Sequence, residues 1–421
     1  MGRLFRKKDK EEYEYNKEYE EAYEDVINKR YIRDLDRQFN QRFDEQYDDD
    51  FELGTKYKVL AGIGTAAIII VLLVVMLIIV PTIGNKNNSN VNNGQMVKDA
   101  HIEDEPIPLA TADPHEGMVK NRFTGTWIKE EIADNRPYAI MFNNIKAASP
   151  QSGTSDADIM YEAVVEGGIT RLMGIFTTLP TTKIGSIRSA RPYYVSIAKE
   201  YDAVYIHVGG SDDAKSKVGA LSVADLDGTS FIGNTLIYRE PSARAPHNAF
   251  TTVERISKAT KTKGYRMDYQ GKEDNHFAFN DKMLDLKNSN ICNNLTICFS
   301  SYTSPSFIYD SKKKVYNRFQ FGSSHIDKNN NKQLAYTNII IQYVNEWTID
   351  NAGRQAMDIY NSSGDGVYIS GGKYKNITWS RNEERCSMQY KDEGGKLLKV
   401  NPGKTYIALV PRDNRNKTVI K

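Results

Sequence analysis

Cysteine is scarce in this chain of 421 residues: Cys292, Cys298 and Cys386 are the full set. Their odd number, and the lack of any CxxC or Cys/His metal spacing, exclude a disulfide framework and a zinc site. One local bond between Cys292 and Cys298 stays open. Also missing are GxSxG, HExxH and a cysteine in a protease context with His and Asn, so the standard hydrolase signatures are absent. The Lys-Ser/Thr of a P-loop and the GxGxxG spacing are not there either. No nucleic-acid motif occurs. We therefore expect no metal, no cofactor and no nucleic-acid partner.

Charge is missing from one stretch. Residues 59–80, VLAGIGTAAIIIVLLVVMLIIV, run for 22 positions without a charged side chain, and the next charge is Lys86. About 20 such residues cross a bilayer core, so a transmembrane helix is expected over 59–83. It is not a cleaved signal peptide, because 58 mostly charged residues precede it. Lys56 and Lys58 abut it on one side, and five Lys/Arg occur among the first ten residues. The positive-inside rule then puts the N-terminus in the cytoplasm and the long C-terminal part outside.

Glycine and proline are missing from residues 11–50, which are dense in Glu, Asp, Arg and Tyr. A broken apolar stripe at Tyr23, Ile27, Tyr31 and Phe39 suits either a solvated helix or one that docks on a protein. The charged segment 1–58 is thus a candidate site for a cytoplasmic protein partner. Residues 84–120, rich in Asn, Ser, Pro and acids, read as a disordered linker. Beyond them, apolar runs of strand length alternate with Gly and Pro punctuation and a few amphipathic stretches, a mixed α and β pattern. Two domains are expected, an α/β domain over 121–285 and a mainly β domain over 290–415, with the break in the polar stretch DKMLDLKNSNICNN.

Several places in the first of these domains carry chemistry. Gly167-Gly168 reads as a hairpin turn between two apolar runs. Glu162 and Glu166 before it form a carboxylate pair suited to acid–base work, or partners for Arg171 across the turn. In IGSIRSARPYYVSIAKE, Ser189 caps and Pro192 opens a helix, which places Arg188 and Arg191 at its N-terminus. Cations there oppose the helix dipole and call for something negative, either a ligand or a structural acid such as Glu162. The strand AVYIHV then runs into Gly209, Gly210 and Ser211 ahead of a helix, in outline a phosphate-cradling turn. His207, two residues before that turn, is a general base or a hydrogen-bonded core histidine. A loop with two prolines carries Arg244, His247 and Asn248, as ligand contacts or as caps of the loop itself.

The segments NNIKAASPQSGTSDADIMYEAVVEGGITRL, IGSIRSARPYYVSIAKEYDAVYIHVGGS, APHNAF, YNRFQFGSSHID, NIIIQ, GDGVYISGGKYKNITWSR and NPGKTYIALVP resemble, in order, the YerB-like family of bacterial envelope proteins. The resemblance covers about 290 residues. It implies an α/β N-terminal part, a mostly β C-terminal part, no known reaction, and exposure outside the membrane of Gram-positive bacteria, usually as a lipoprotein. This chain has no lipobox cysteine; the helix expected over 59–80 stands in its place. The first reading is an extracytoplasmic protein that binds an anionic envelope component, such as a wall polymer or lipid-linked precursor, through Arg188, Arg191, Gly209, Gly210, Ser211, Arg244, His247 and Asn248. The alternatives are an envelope hydrolase or transferase using Glu162, Glu166 and His207 or His247, and a membrane scaffold for envelope proteins.

Overall fold

The computed structural model describes residues 114–421 apart from 181, 272–275 and 288. The charged segment 1–58, the expected transmembrane helix and most of the expected linker lie outside the described residues. Among those described, no helix is long and apolar enough to cross a membrane. The linker's last residues are already folded, because Met118–Lys120 pairs with Trp127–Lys129.

The first half contributes β1 (Tyr138–Asn143), β2 (Ile159–Val164), β3 (Thr170–Phe176), α1 (Pro192–Glu200), β4 (Val204–His207), α2 (Asp212–Leu221), β5 (Ala224–Asp227) and α3 (Val253–Thr262). The second contributes β6 (Asn338–Val344), β7 (Ser362–Ser370), β8 (Lys373–Arg381) and β9 (Thr405–Pro411), plus shorter strands. The architecture is mixed α and β, and the part after α3 is mostly β.

Local sequence explains the elements that matter below. Gly167 and Gly168 both adopt positive φ, at 62° and 69°, and turn the chain from β2 into β3. Pro192 is the first residue of α1, where its missing N–H costs nothing. The N-cap of α1 is Arg191, without a side-chain cap, so the expected capping role of Ser189 is not realised. In α2, by contrast, the Ser211 hydroxyl accepts from the Ala214 N–H at 3.3 Å, and Asp212 and Asp213 favour the positive end of the dipole.

One sheet of 11 strands runs through both halves. Its path is Asn290–Ile291, β8, β7, β6, β9, β2, β3, β1, β4, β5, with Gln389–Asp392 paired to β8. At its centre β9 lies parallel to β6 on one side and to β2 on the other, with Thr405 opposite Ile159 and Leu409 opposite Ala163. Every residue of β2, β6 and β9 is buried, as expected for strands covered on both faces. A second sheet of six strands, built around Ser306–Asp310 and Val315–Gln320, belongs to the C-terminal half. The three cysteines are free, so the bond left open between Cys292 and Cys298 is not formed. Burial pushes the Cys292 thiol up to about 12.

Candidate arginine site at the strand ends

Strands β1, β4 and β5 run parallel, and their carboxyl ends face one edge of the sheet. Crevices at such ends are where open α/β sheets place ligands. The chain from Ile187 to Arg191 is sewn into that edge by its backbone. Arg188 N–H donates to the Met141 carbonyl of β1 at 3.1 Å, and its own carbonyl accepts from Val208 N–H at 3.1 Å. Ala190 N–H donates to the Gly209 carbonyl at 2.9 Å, and Gly209 N–H to an Asp227 carboxylate oxygen at 2.7 Å. The segment Arg188–Arg191 and the turn Gly209–Ser211, 20 residues apart, therefore lie side by side.

The charges gather around Glu166. Its carboxylate is 3.3 Å from Arg171 Nη2 and bonds Arg191 Nη2 through its other oxygen. Arg171, on β3, also donates to the Ser189 carbonyl at 2.9 Å, which fixes it beneath the start of α1. Burial pushes the Arg171 guanidinium down to about 10, and the positive charges of Arg191 and Arg188 add to that while Glu166 opposes it. Burial raises the Glu166 carboxyl, yet Arg171 and Arg191 outweigh it and leave it below the usual range. Two buried guanidinium groups thus share one carboxylate, with a third, half-buried, beside them.

His247 reaches the same edge: its Nδ1 accepts from Asn143 Nδ2 at 2.8 Å, and Asn143 stands opposite Arg171 in the sheet. Arg244 and Asn248 are not brought into the cluster. Arg244 is exposed on the loop, and Asn248 accepts from Arg239 at 3.3 Å.

The remaining candidates are held internally. Glu162 is fully buried and accepts four bonds, from Asn144 at 3.0 Å, Thr170 at 2.6 Å, Arg318 at 2.6 Å and Tyr406 at 2.5 Å. Its partner is Arg318 and not Arg188 or Arg191, so Glu162 and Glu166 serve different arginines. His207 is buried, with Nε2 2.5 Å from Asp225 and Nδ1 2.7 Å from the Gly209 carbonyl. Burial alone would lower its pKa; the bond to Asp225 and the charges of Asp225 and Asp227 reverse this and raise it. Among the described residues no group of three or more His, Cys, Asp or Glu side chains is placed to hold a metal.

Arg171 was expected across the turn as a partner of Glu162 and Glu166, and it pairs with Glu166, but the sequence did not place it among the ligand contacts. Its signal was a cation inside the apolar run ITRLMGIF, which a half-solvated strand explains equally well.

Comparison with known proteins follows the same two parts. Models of the N-terminal and C-terminal domains of a family of proteins of unknown function, DUF3048, match residues 123–266 and 295–407. A Bacillus subtilis protein that carries the name "Putative lipoprotein YerB" is 32% identical over 296 residues, 70% of this chain and 86% of that protein. The crystal structure of the YerB protein from B. subtilis matches with a TM-score of 0.64 and 30% identity, covering 72% of this chain and 99% of that one.

Proposed function

This chain belongs to the DUF3048 family, and from that membership we propose that it is a membrane-attached, extracytoplasmic protein whose arginine site binds an anionic component of the cell envelope. The lipoprotein name of its relative and the uncharged run 59–80 support attachment to a membrane. The observation that carries the binding reading is the sharing of Glu166 by Arg171 and Arg191 at the strand ends, with Arg188 beside them. Arg191 Nε is buried with no hydrogen-bond partner among the described residues, and an anion at the start of α1 supplies one. The enzyme reading has less support. Glu162 has its acceptor capacity filled by four internal donors and no exposed surface.

Arg188 is the residue to test, since it is half-buried and reaches solvent while Arg171 and Arg191 are buried. The full chain should be stabilised against heat by inorganic phosphate. Arg188→Gln should weaken that by about 10- to 100-fold in midpoint concentration, the worth of a charge-assisted hydrogen bond of roughly 1.5–3 kcal/mol. A wild-type protein indifferent to phosphate, sulfate and carboxylates alike would remove the binding reading.

A further inference from the structure

A cleft of about 230 Å³ opens beside the arginine site. Its walls are the first turn of α1, with Pro192 and Tyr193, Lys217 of α2, and the arm carrying Trp347, Asp358 and Tyr360. Trp347 sits on a hairpin of Glu346–Thr348 with Gln355–Met357 and leaves 46% of its surface open. Tyr193 joins the cleft to the arginines. Its phenol is buried, and the nearby charges it senses are Arg191, Glu166 and Arg171, then Glu346 at the base of the hairpin.

The chemistry of the walls is mixed in a particular way. Lys217 lies 4.6 Å from the centroid of the Tyr360 ring, donates to its hydroxyl at 3.0 Å and pairs with Glu384, so its charge is already answered. The cleft therefore offers little net attraction to an anion. It offers an open indole face, a tyrosine hydroxyl and the carboxylate of Asp358. An exposed aromatic face receives the C–H face of a pyranose, while hydroxyl and carboxylate groups at the rim bind its hydroxyls. The volume lies below the ~300–1,000 Å³ of pockets for drug-sized ligands and is nearer to the room that one ring needs.

We propose that this cleft is a sugar subsite, so that the ligand is an acidic or phosphorylated glycan whose anionic group lies at the arginines that open α1 and whose neighbouring ring packs on Trp347. The inference rests on the binding reading given above for the anionic end, and adds the glycan.

The test compares inorganic phosphate, glycerol phosphate and a hexosamine phosphate by calorimetry on the full chain in detergent, as wild type, Trp347→Ala and Trp347→Phe. The hexosamine phosphate should bind about tenfold or more tighter than glycerol phosphate. Trp347→Ala should erase that preference with inorganic phosphate affinity unchanged, and Trp347→Phe should keep part of it. Phosphate binding without a sugar preference, or a preference that survives Trp347→Ala, overturns the glycan inference and leaves the anion site standing. A nucleoside monophosphate bound as tightly as the sugar phosphate also overturns it. If no phosphate binds but the free hexosamine does, in a Trp347-dependent way, the arginine reading fails and the sugar subsite holds. Absence of all binding refutes both.

Discussion

Replacing Glu162 by Gln should destabilise the whole fold without exposing any new surface. The carboxylate accepts from Thr170 and Asn144 on one oxygen and from Arg318 and Tyr406 on the other. An amide keeps one accepting oxygen and turns its N–H donors toward either the Arg318 or the Asn144 N–H, so at least one bond is lost whichever way it is oriented, even if the Tyr406 or Thr170 hydroxyl rotates to accept. It also leaves the Arg318 guanidinium, which is fully buried, without its counter-charge. No neighbour replaces that charge: Arg318 donates to His325 Nδ1, while His325 Nε2 donates to Gln151 at 2.6 Å. Burial and Arg318 hold His325 well below its usual pKa, and therefore neutral. Removing one member of such a buried pair costs about 3–5 kcal/mol, a large share of the roughly 5–15 kcal/mol that a protein has. At this chain length the shift in Tm should be about 6–15 °C. Scanning calorimetry on the full chain, with urea denaturation as a second measure, reads it. Glu162→Leu combined with Arg318→Met should recover part of the loss, because no unpaired charge remains, although Tyr406 and His325 each lose a partner. A Glu162→Gln Tm within about 2 °C of wild type would refute the reasoning.

His207 supplies a pH signature. Its folded pKa lies above the ordinary 6.5, so its contribution is full below that value and fades as pH rises through the folded one. Denaturation of His207→Gln should thus show a larger loss against wild type at pH 5.5 than at pH 8.5, and an equal loss at both would contradict the Asp225 pairing. Topology is checked by protease added to intact protoplasts. Residues beyond 86 should be digested and an N-terminal tag protected; the opposite pattern would end the envelope reading.

Parts of this arrangement were legible in the sequence because their causes are local. Gly167-Gly168 needs positive φ, Pro192 suits a first helical turn, and Ser211 caps α2; each signal lies within a few residues of its effect. The adjacency of Arg188–Arg191 to Gly209–Ser211 followed from one strand and its connection. Ser189 misled, because a hydroxyl three residues ahead of the helix body looks like a cap, while the chain there is tied to β3 through its carbonyl. What stayed hidden is long in range. Arg318 and Tyr406 lie 156 and 244 residues from Glu162, and no periodicity encodes which buried carboxylate a distant guanidinium will meet. The cleft needs a helix turn from one half and a hairpin from the other, so neither Trp347 nor Tyr360 reads as a site residue in its own segment.

The place of β9 in the sheet sets an order on synthesis. Thr405 follows Val164, the last residue of the strand it borders, by 241 residues. At roughly 5–20 residues per second that interval is about 12–50 s, during which β2 has β3 on one side and an open edge on the other. An open apolar edge recruits whatever strand is near. The growing chain must therefore be kept from neighbours until almost its last residues emerge, and a chain that stops short of 405 lacks the strand against which both β2 and β6 are aligned.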